Sequence, residues 1–163
     1  MNKTAERMRS FLLETLAEGY DRKAWHGPNL RGAIRGLKAP DVYRRPASKR
    51  HNIYEIVLHA AYWKYVVRRR LQGDRRASFG RKGSNWFPSP TKPSEIDWKN
   101  AVKLLREEQQ KLVLAVTALP DRAFQPSSSG KSSQIVRLVH GIAAHDVYHA
   151  GQIQLLKRLI RRR

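Results

Sequence analysis

The chain has 163 residues, 40% of them hydrophobic, which is enough for one domain, residues 1–163, with a buried core. The absence of cysteine excludes disulfides, a thiol nucleophile and thiolate metal ligands. No apolar run reaches membrane-spanning length and the N-terminus lacks a signal-peptide pattern, so the expected location is cytoplasmic. A net charge of +20 attracts anions and gives a pull toward nucleic acid; the competing reading is solubility with no specific partner.

Residues 2–18 are expected to form a helix. Ala5, Met8, Leu12 and Leu16 share one stripe, and Gly19 can end it. After Trp25 and His26, Pro28 suits the first turn of a short helix with an apolar face of Leu30, Ala33, Ile34 and Leu37. Residues 38–50, with two prolines and many charges, read as a loop.

A second long helix opens at Asn52, whose side chain can cap it, with Glu55 three residues on as in a capping box. From Ile53 to Val67 nearly every position is apolar or aromatic, so this helix is expected to be buried on several sides. Arg68, Arg69 and Arg70 favour its C-terminal end, and Gly73 closes it. A long, basic connection over 72–94 follows, rich in Gly and Pro. Trp86 and Phe87 are expected to anchor it, and its length suggests a functional or mobile loop.

The third long helix starts at Ser94 or Asp97. Its stripe is Trp98, Val102, Leu105, Leu112, Val116 and Leu119, with Gln109 as one polar member, and Leu119-Pro120 ends it. A Ser/Gly/Pro loop over 125–133 leads to the last helix, which Ser132 or Ser133 can cap and which runs to about Arg161. No repeats and no period-2 strands stand out. Four long amphipathic helices with two longer connections predict an all-α four-helix bundle, with the second and fourth long helices, the most apolar, facing each other.

His145 and His149 lie four apart on the last helix and therefore share a face, so one metal ion can take both. His26 and His51 sit in loop contexts, and His140 is five residues before His145, roughly 140° round the helix. His59 is different. It stands mid-helix among Leu58, Ala60, Ala61 and Trp63, where an imidazole needs a partner. On facing helices His59, His145 and His149 make an open three-imidazole site suited to Zn²⁺ or Ni²⁺, with a free position for water. The alternative is three core histidines hydrogen-bonded to backbone or to one another; the coincidence of three on interior stripes favours the metal.

The segments WHGPNLRGAIRGL (25–37), HNIYEIVLHAAYWKYVVRRRLQG (51–73) and HGIAAHDVYHAGQIQLLKRL (140–159) resemble the DinB-like family, the DinB/YfiT-like bundles. The likeness covers nearly the whole chain, and its signature is one histidine on the second long helix plus His-x-x-x-His on the fourth. It implies an up-down-down-up bundle, a divalent metal on His59, His145 and His149, and frequent homodimers. It does not imply one activity: some relatives resemble metal-dependent transferases that use low-molecular-weight thiols, others metal-dependent hydrolases.

Several other residues can contribute. Glu55, one turn before His59, can cap the helix or act behind the metal ligands as a base or acid. Gln152 nearly eclipses His145 and can hydrogen-bond a ligand, a substrate or backbone. Asp146 and Tyr148 point to the flanks; Asp146 can orient a ligand or, more simply, form a surface or interhelix ion pair. Tyr62 and Trp63 can wall a pocket or fill the core, and Trp25 and His26 can rim an anion site. The basic stretch 68–82 and the tail 161–163 can follow phosphates, although no nucleic-acid reading motif or stacking platform accompanies them.

Three functions compete. The first is a metal-dependent enzyme, a hydrolase or a thiol transferase, acting on an anionic or thiol-bearing small molecule. The second is a basic module that binds nucleic acid or another polyanion. The third is a dimeric scaffold without chemistry.

Overall fold

The computed structural model describes residues 2–74, 78–125 and 131–161, apart from the side chains of 131–133 and 161. All its regular elements are helical: α1 (Lys3–Tyr20), α2 (Leu30–Ile34), α3 (Ala39–Val42), α4 (Ile53–Gln72), α5 (Glu95–Thr117), a 3₁₀ turn (Asp121–Phe124) and α6 (Lys131–Arg161). No strand occurs among the described residues. No helix among them is long and apolar enough to cross a membrane.

The caps follow from the sequence. Asn52 Oδ1 accepts the Glu55 N–H at 3.0 Å, and Gly73 ends α4 in the left-handed region at φ 66°, where a side chain would be strained. Ser94 caps α5 through the Asp97 N–H. Four details differ from expectation. Asn29, not Pro28, fixes the start of α2 by accepting the Gly32 N–H at 2.7 Å. The stretch 38–50 contains the short helix α3, held partly by Glu95 accepting the Ala39 N–H at 2.8 Å. Gly19 does not end α1; it lies within it, against the backbone of Ala143, where a Cβ would stand 2.8 Å from the Ala143 carbonyl oxygen. Its missing side chain lets α1 and α6 approach closely. The final helix runs from Lys131, and the two serines expected to cap it have side chains outside the described residues.

Ion pairs and caps fix the direction of each long helix. Tyr43 accepts from Asn52 at the start of α4, and its hydroxyl reaches the Ser94 carbonyl at the start of α5, so these two helices start at the same end. Asn2 and Arg9 at the start of α1 bind Asp121, just beyond α5, so α1 runs the opposite way. Lys157 near the end of α6 reaches Ala33 in α2, which returns α6 antiparallel to α4. The order is up-down-down-up, with α4 packed on both α5 and α6 and α1 completing the ring.

The core divides into two apolar clusters. One gathers Ile53, Tyr54, Leu58, Trp98, Leu105 and Ile153; the other gathers Leu12, Leu16, Val67, Leu112, Val116 and Val139. Fully burying one such side chain contributes on the order of 1.5–3 kcal/mol. Between the clusters each of three helices places one polar residue: Lys64 on α4, Gln109 on α5 and Asp146 on α6. Lys64 Nζ pairs with Asp146 and donates to Gln109 Oε1 at 2.7 Å. Asp146 therefore forms an interhelix ion pair, but in the interior; both side chains are 0% exposed. Burial pushes the Asp146 carboxyl up to about 6 and the Lys64 amine down, and their mutual attraction opposes both shifts.

Candidate metal centre

The helix register brings three imidazoles together. His59 comes from the middle of α4, and His145 and His149 come from one face of α6. One ligand nitrogen from each lies within 4.8 Å of the others, an arrangement able to hold a metal ion. His145 Nε2 is 3.2 Å from His59 Nε2 and 3.0 Å from His149 Nε2. These are separations that metal–nitrogen bonds of about 2.0–2.1 Å can bridge. His59 and His149 are buried, and His145 is half-buried.

The opposite ring edges decide the tautomers. His59 Nδ1–H donates to the Asn85 carbonyl oxygen at 2.9 Å. His149 Nδ1–H donates to Gln152 Oε1 at 2.7 Å. In each neutral ring Nε2 is then left with a lone pair aimed at His145. Without a cation, a His145 Nε2–H can serve only one of its two neighbours. The other neighbour's Nε2 lone pair is then left facing a nitrogen with no second hydrogen to offer it; His145 Nδ1 is buried with no partner among the described residues in either case. The donor set therefore fits a cation better than it fits a self-contained hydrogen-bond network.

Protonation does not relieve the crowding. Burial, then the neighbouring His149 and His59, push His145 down to about 3, with Lys64 adding to the shift. Burial lowers His149 to about 4, opposed by its bond to Gln152 and reinforced by His59. Burial likewise lowers His59, opposed by the Asn85 carbonyl. All three rings are neutral, hence ligand-competent, at pH 7.

The connection between α4 and α5 supplies the support. Asn85 takes φ 62°, a left-handed conformation that asparagine tolerates better than most residues, and so turns its carbonyl onto His59. Its Oδ1 accepts the Trp63 indole N–H at 3.0 Å. Trp86 then lies flat between two imidazoles, 3.8 Å from His59 and 3.6 Å from His51, with interplanar angles of 10° and 2°. Trp63 presents its edge to His59 and His145, and Tyr148 to His149.

Glu55 sits behind this stack. Its backbone takes the Asn52 cap, while its carboxylate accepts from Arg45, from His51 Nδ1 at 3.0 Å and from the Ser89 N–H and hydroxyl, each at 3.2 Å. Burial opposes its ionisation, but these donors outweigh burial and bring it down to about 2. Glu55 thus reaches His59 only through His51 and Trp86. Gln152 contacts the cluster directly, through His149, and its Nε2 donates to the exposed Tyr148 hydroxyl at 2.8 Å.

The remaining candidates lie apart. Tyr62 belongs to an aromatic cluster with Tyr65, Phe79 and Phe87. His140 and His26 are exposed, and the Trp25 side chain stands fully in solvent. In the basic stretch, Arg68 pairs with Glu108 and Arg69 donates to Asp74 and Tyr65, while residues 75–77 and the tail 162–163 lie outside the described residues. Sequence reasoning did not identify Asn85 or His51 as supports, nor Lys64 as a buried cation. The turn signal Gly83-Ser84-Asn85 could have marked the first; nothing local marks the other two.

Comparison with curated proteins and with solved structures gave no match. The sequence model of the DinB superfamily matches residues 6–153, a span that includes all three histidines. The chain belongs to the DinB superfamily.

Proposed function

We propose that the protein is a metal-dependent enzyme whose divalent ion, Zn²⁺ or Ni²⁺, is held by Nε2 of His59, His145 and His149. The observation that carries this is the pair of Nδ1–H bonds to the Asn85 carbonyl and to Gln152, which turn two Nε2 lone pairs onto a third nitrogen at 3.0–3.2 Å. Three imidazoles with no fourth protein ligand among the described residues leave a position for an exchangeable group, as catalytic sites do and structural sites do not. When bound, such an ion supplies Lewis acidity and lowers the pKa of a water or a small-molecule thiol, which suits a hydrolase or a thiol-dependent transferase.

The protein's own residues orient and shield. Gln152 fixes the ring of His149, the Asn85 carbonyl fixes that of His59, and Trp86 covers the outer face of His59 from water. The Tyr148 hydroxyl, held by Gln152 and exposed, is placed to meet an incoming substrate. Ionised Glu55 keeps His51 and the Arg45 guanidinium in place and holds no transferable proton at neutral pH.

Metal content of purified protein tests the assignment. Wild type is expected to carry about one equivalent of divalent ion, with each of His59→Ala, His145→Ala and His149→Ala losing most of it. Full occupancy in all three variants rules it out. We also propose a homodimer, for which the exposed apolar residues Leu155 and Leu159 along one side of α6 provide a face; a monomeric sedimentation coefficient across the micromolar range would remove that part.

A further inference from the structure

A second concavity lies on the far side of α6. Gln154, on its edge, is nine residues after His145, about half a turn round the helix, so the groove and the histidine cluster occupy opposite faces. The groove runs between α5 and the end of α1 with α2, and its volume is about 1090 Å³. That exceeds the usual small-molecule pocket of roughly 300–1,000 Å³ and suits a polypeptide segment.

Its cross-section is specific. Leu37 and Val102, both half-buried, provide an apolar floor above the buried Ile34. Along one bank Lys99, Lys103 and Arg106 fall at i, i+4 and i+7 of α5, one exposed cationic row spanning roughly 10 Å at about 1.5 Å per residue. On the other bank stand Lys23, Arg31 and Arg35. The two acidic residues in the lining are already engaged. Asp21 pairs with Arg31 at 3.2 Å, and Glu95 accepts the Ala39 N–H. Lys23, Arg35, Lys99 and Arg106 have no carboxylate within ion-pair distance among the described residues.

We propose that this groove docks an acidic amphipathic helix from a partner protein. Such a helix has an apolar stripe flanked on both sides by carboxylates, the complement of an apolar floor between two cationic rows. Two turns of it match the length of the α5 row. Single-stranded nucleic acid fits less well. Its bases need open ring faces, whereas the two aromatic side chains in the lining, Tyr20 and Trp98, are 6% and 3% exposed, and the Trp98 indole is tied to the Leu37 carbonyl.

Fluorescence anisotropy with a fluorescein-labelled peptide of about 16 residues tests this, the peptide carrying leucines at helical i, i+3, i+4 and i+7 spacing flanked by glutamates. Saturable binding at physiological salt is expected, with a scrambled peptide of the same composition about tenfold weaker or worse. Arg35→Glu/Lys99→Glu, one exposed cation from each bank, should weaken binding by about tenfold or more. Arg7→Glu/Arg137→Glu removes the same charge from exposed positions in the N-terminal parts of α1 and α6, and should change it by less than about threefold. Lys103→Glu/Arg106→Glu repeats the groove arm should the first variant lose its helical circular dichroism. No binding, equal binding of the scrambled peptide, equal loss in the remote variant, or displacement of the peptide by an oligothymidylate of matched charge overturns the proposal.

Discussion

Replacing Asp146 by alanine removes one half of an ion pair whose two side chains are completely buried. Lys64 keeps its bond to Gln109 Oε1 at 2.7 Å and its position over the Tyr20 ring at 5.2 Å, but nothing then balances its charge. Leaving a buried charge uncompensated costs about 3–5 kcal/mol. For a domain of this size that lowers Tm by roughly 6–20 °C, at about 2–4 °C per kcal/mol. The pair as a whole is a different quantity, because desolvating both charges offsets most of their attraction. Lys64→Met/Asp146→Leu loses the donor to Gln109 Oε1, about 1–3 kcal/mol, but leaves no charge uncompensated, so it should be more stable than Asp146→Leu alone. Urea unfolding followed by circular dichroism, with wild type, Lys64→Met, Asp146→Leu and the double variant compared at constant m-value, measures the coupling. A loss under about 1 kcal/mol in Asp146→Ala, or a double variant as unstable as the sum of the singles, would refute the view of Lys64 and Asp146 as a buried pair that compensates its own charges.

Gln152→Leu removes the acceptor of His149 Nδ1–H while sparing the ligand nitrogen, so zinc affinity in competition with a chromogenic chelator should fall about 10–100-fold with the fold intact; unchanged affinity would mean that Gln152 does not orient the ring. Glu55 provides the pH dependence. Its folded-state pKa, about 2, lies below the ordinary value of 4.5, so its stabilising effect is fully present above the unfolded value and is lost as pH falls from about 5 toward 2. Glu55→Gln should thus be less stable than wild type at pH 7, with the gap closing as the pH drops through that window; a gap that stays constant with pH would contradict the ion-paired role.

Much of this was legible in the sequence because it is local. Helix periodicity, the Asn52 cap and Gly73 mark α4 within its own residues. A four-residue spacing puts His145 and His149 on one face of α6 whatever surrounds it. An imidazole amid apolar neighbours at His59 announced a missing partner. The tertiary structure decided what no local pattern encodes. Nothing local marks Lys64 as a paired, buried cation; α5 and α6 bring Gln109 and Asp146 to it. Gly19 reads as a helix end until the Ala143 backbone lies where its Cβ would be. Most consequentially, the long connection, in which Trp86 reads only as an anchor, returns across α4 to set the Asn85 carbonyl and the Trp86 ring against His59. Spacing along one helix fixes which side chains share a face, but the tautomer of each imidazole depends on the group opposite it, and those groups arrive from elsewhere in the chain.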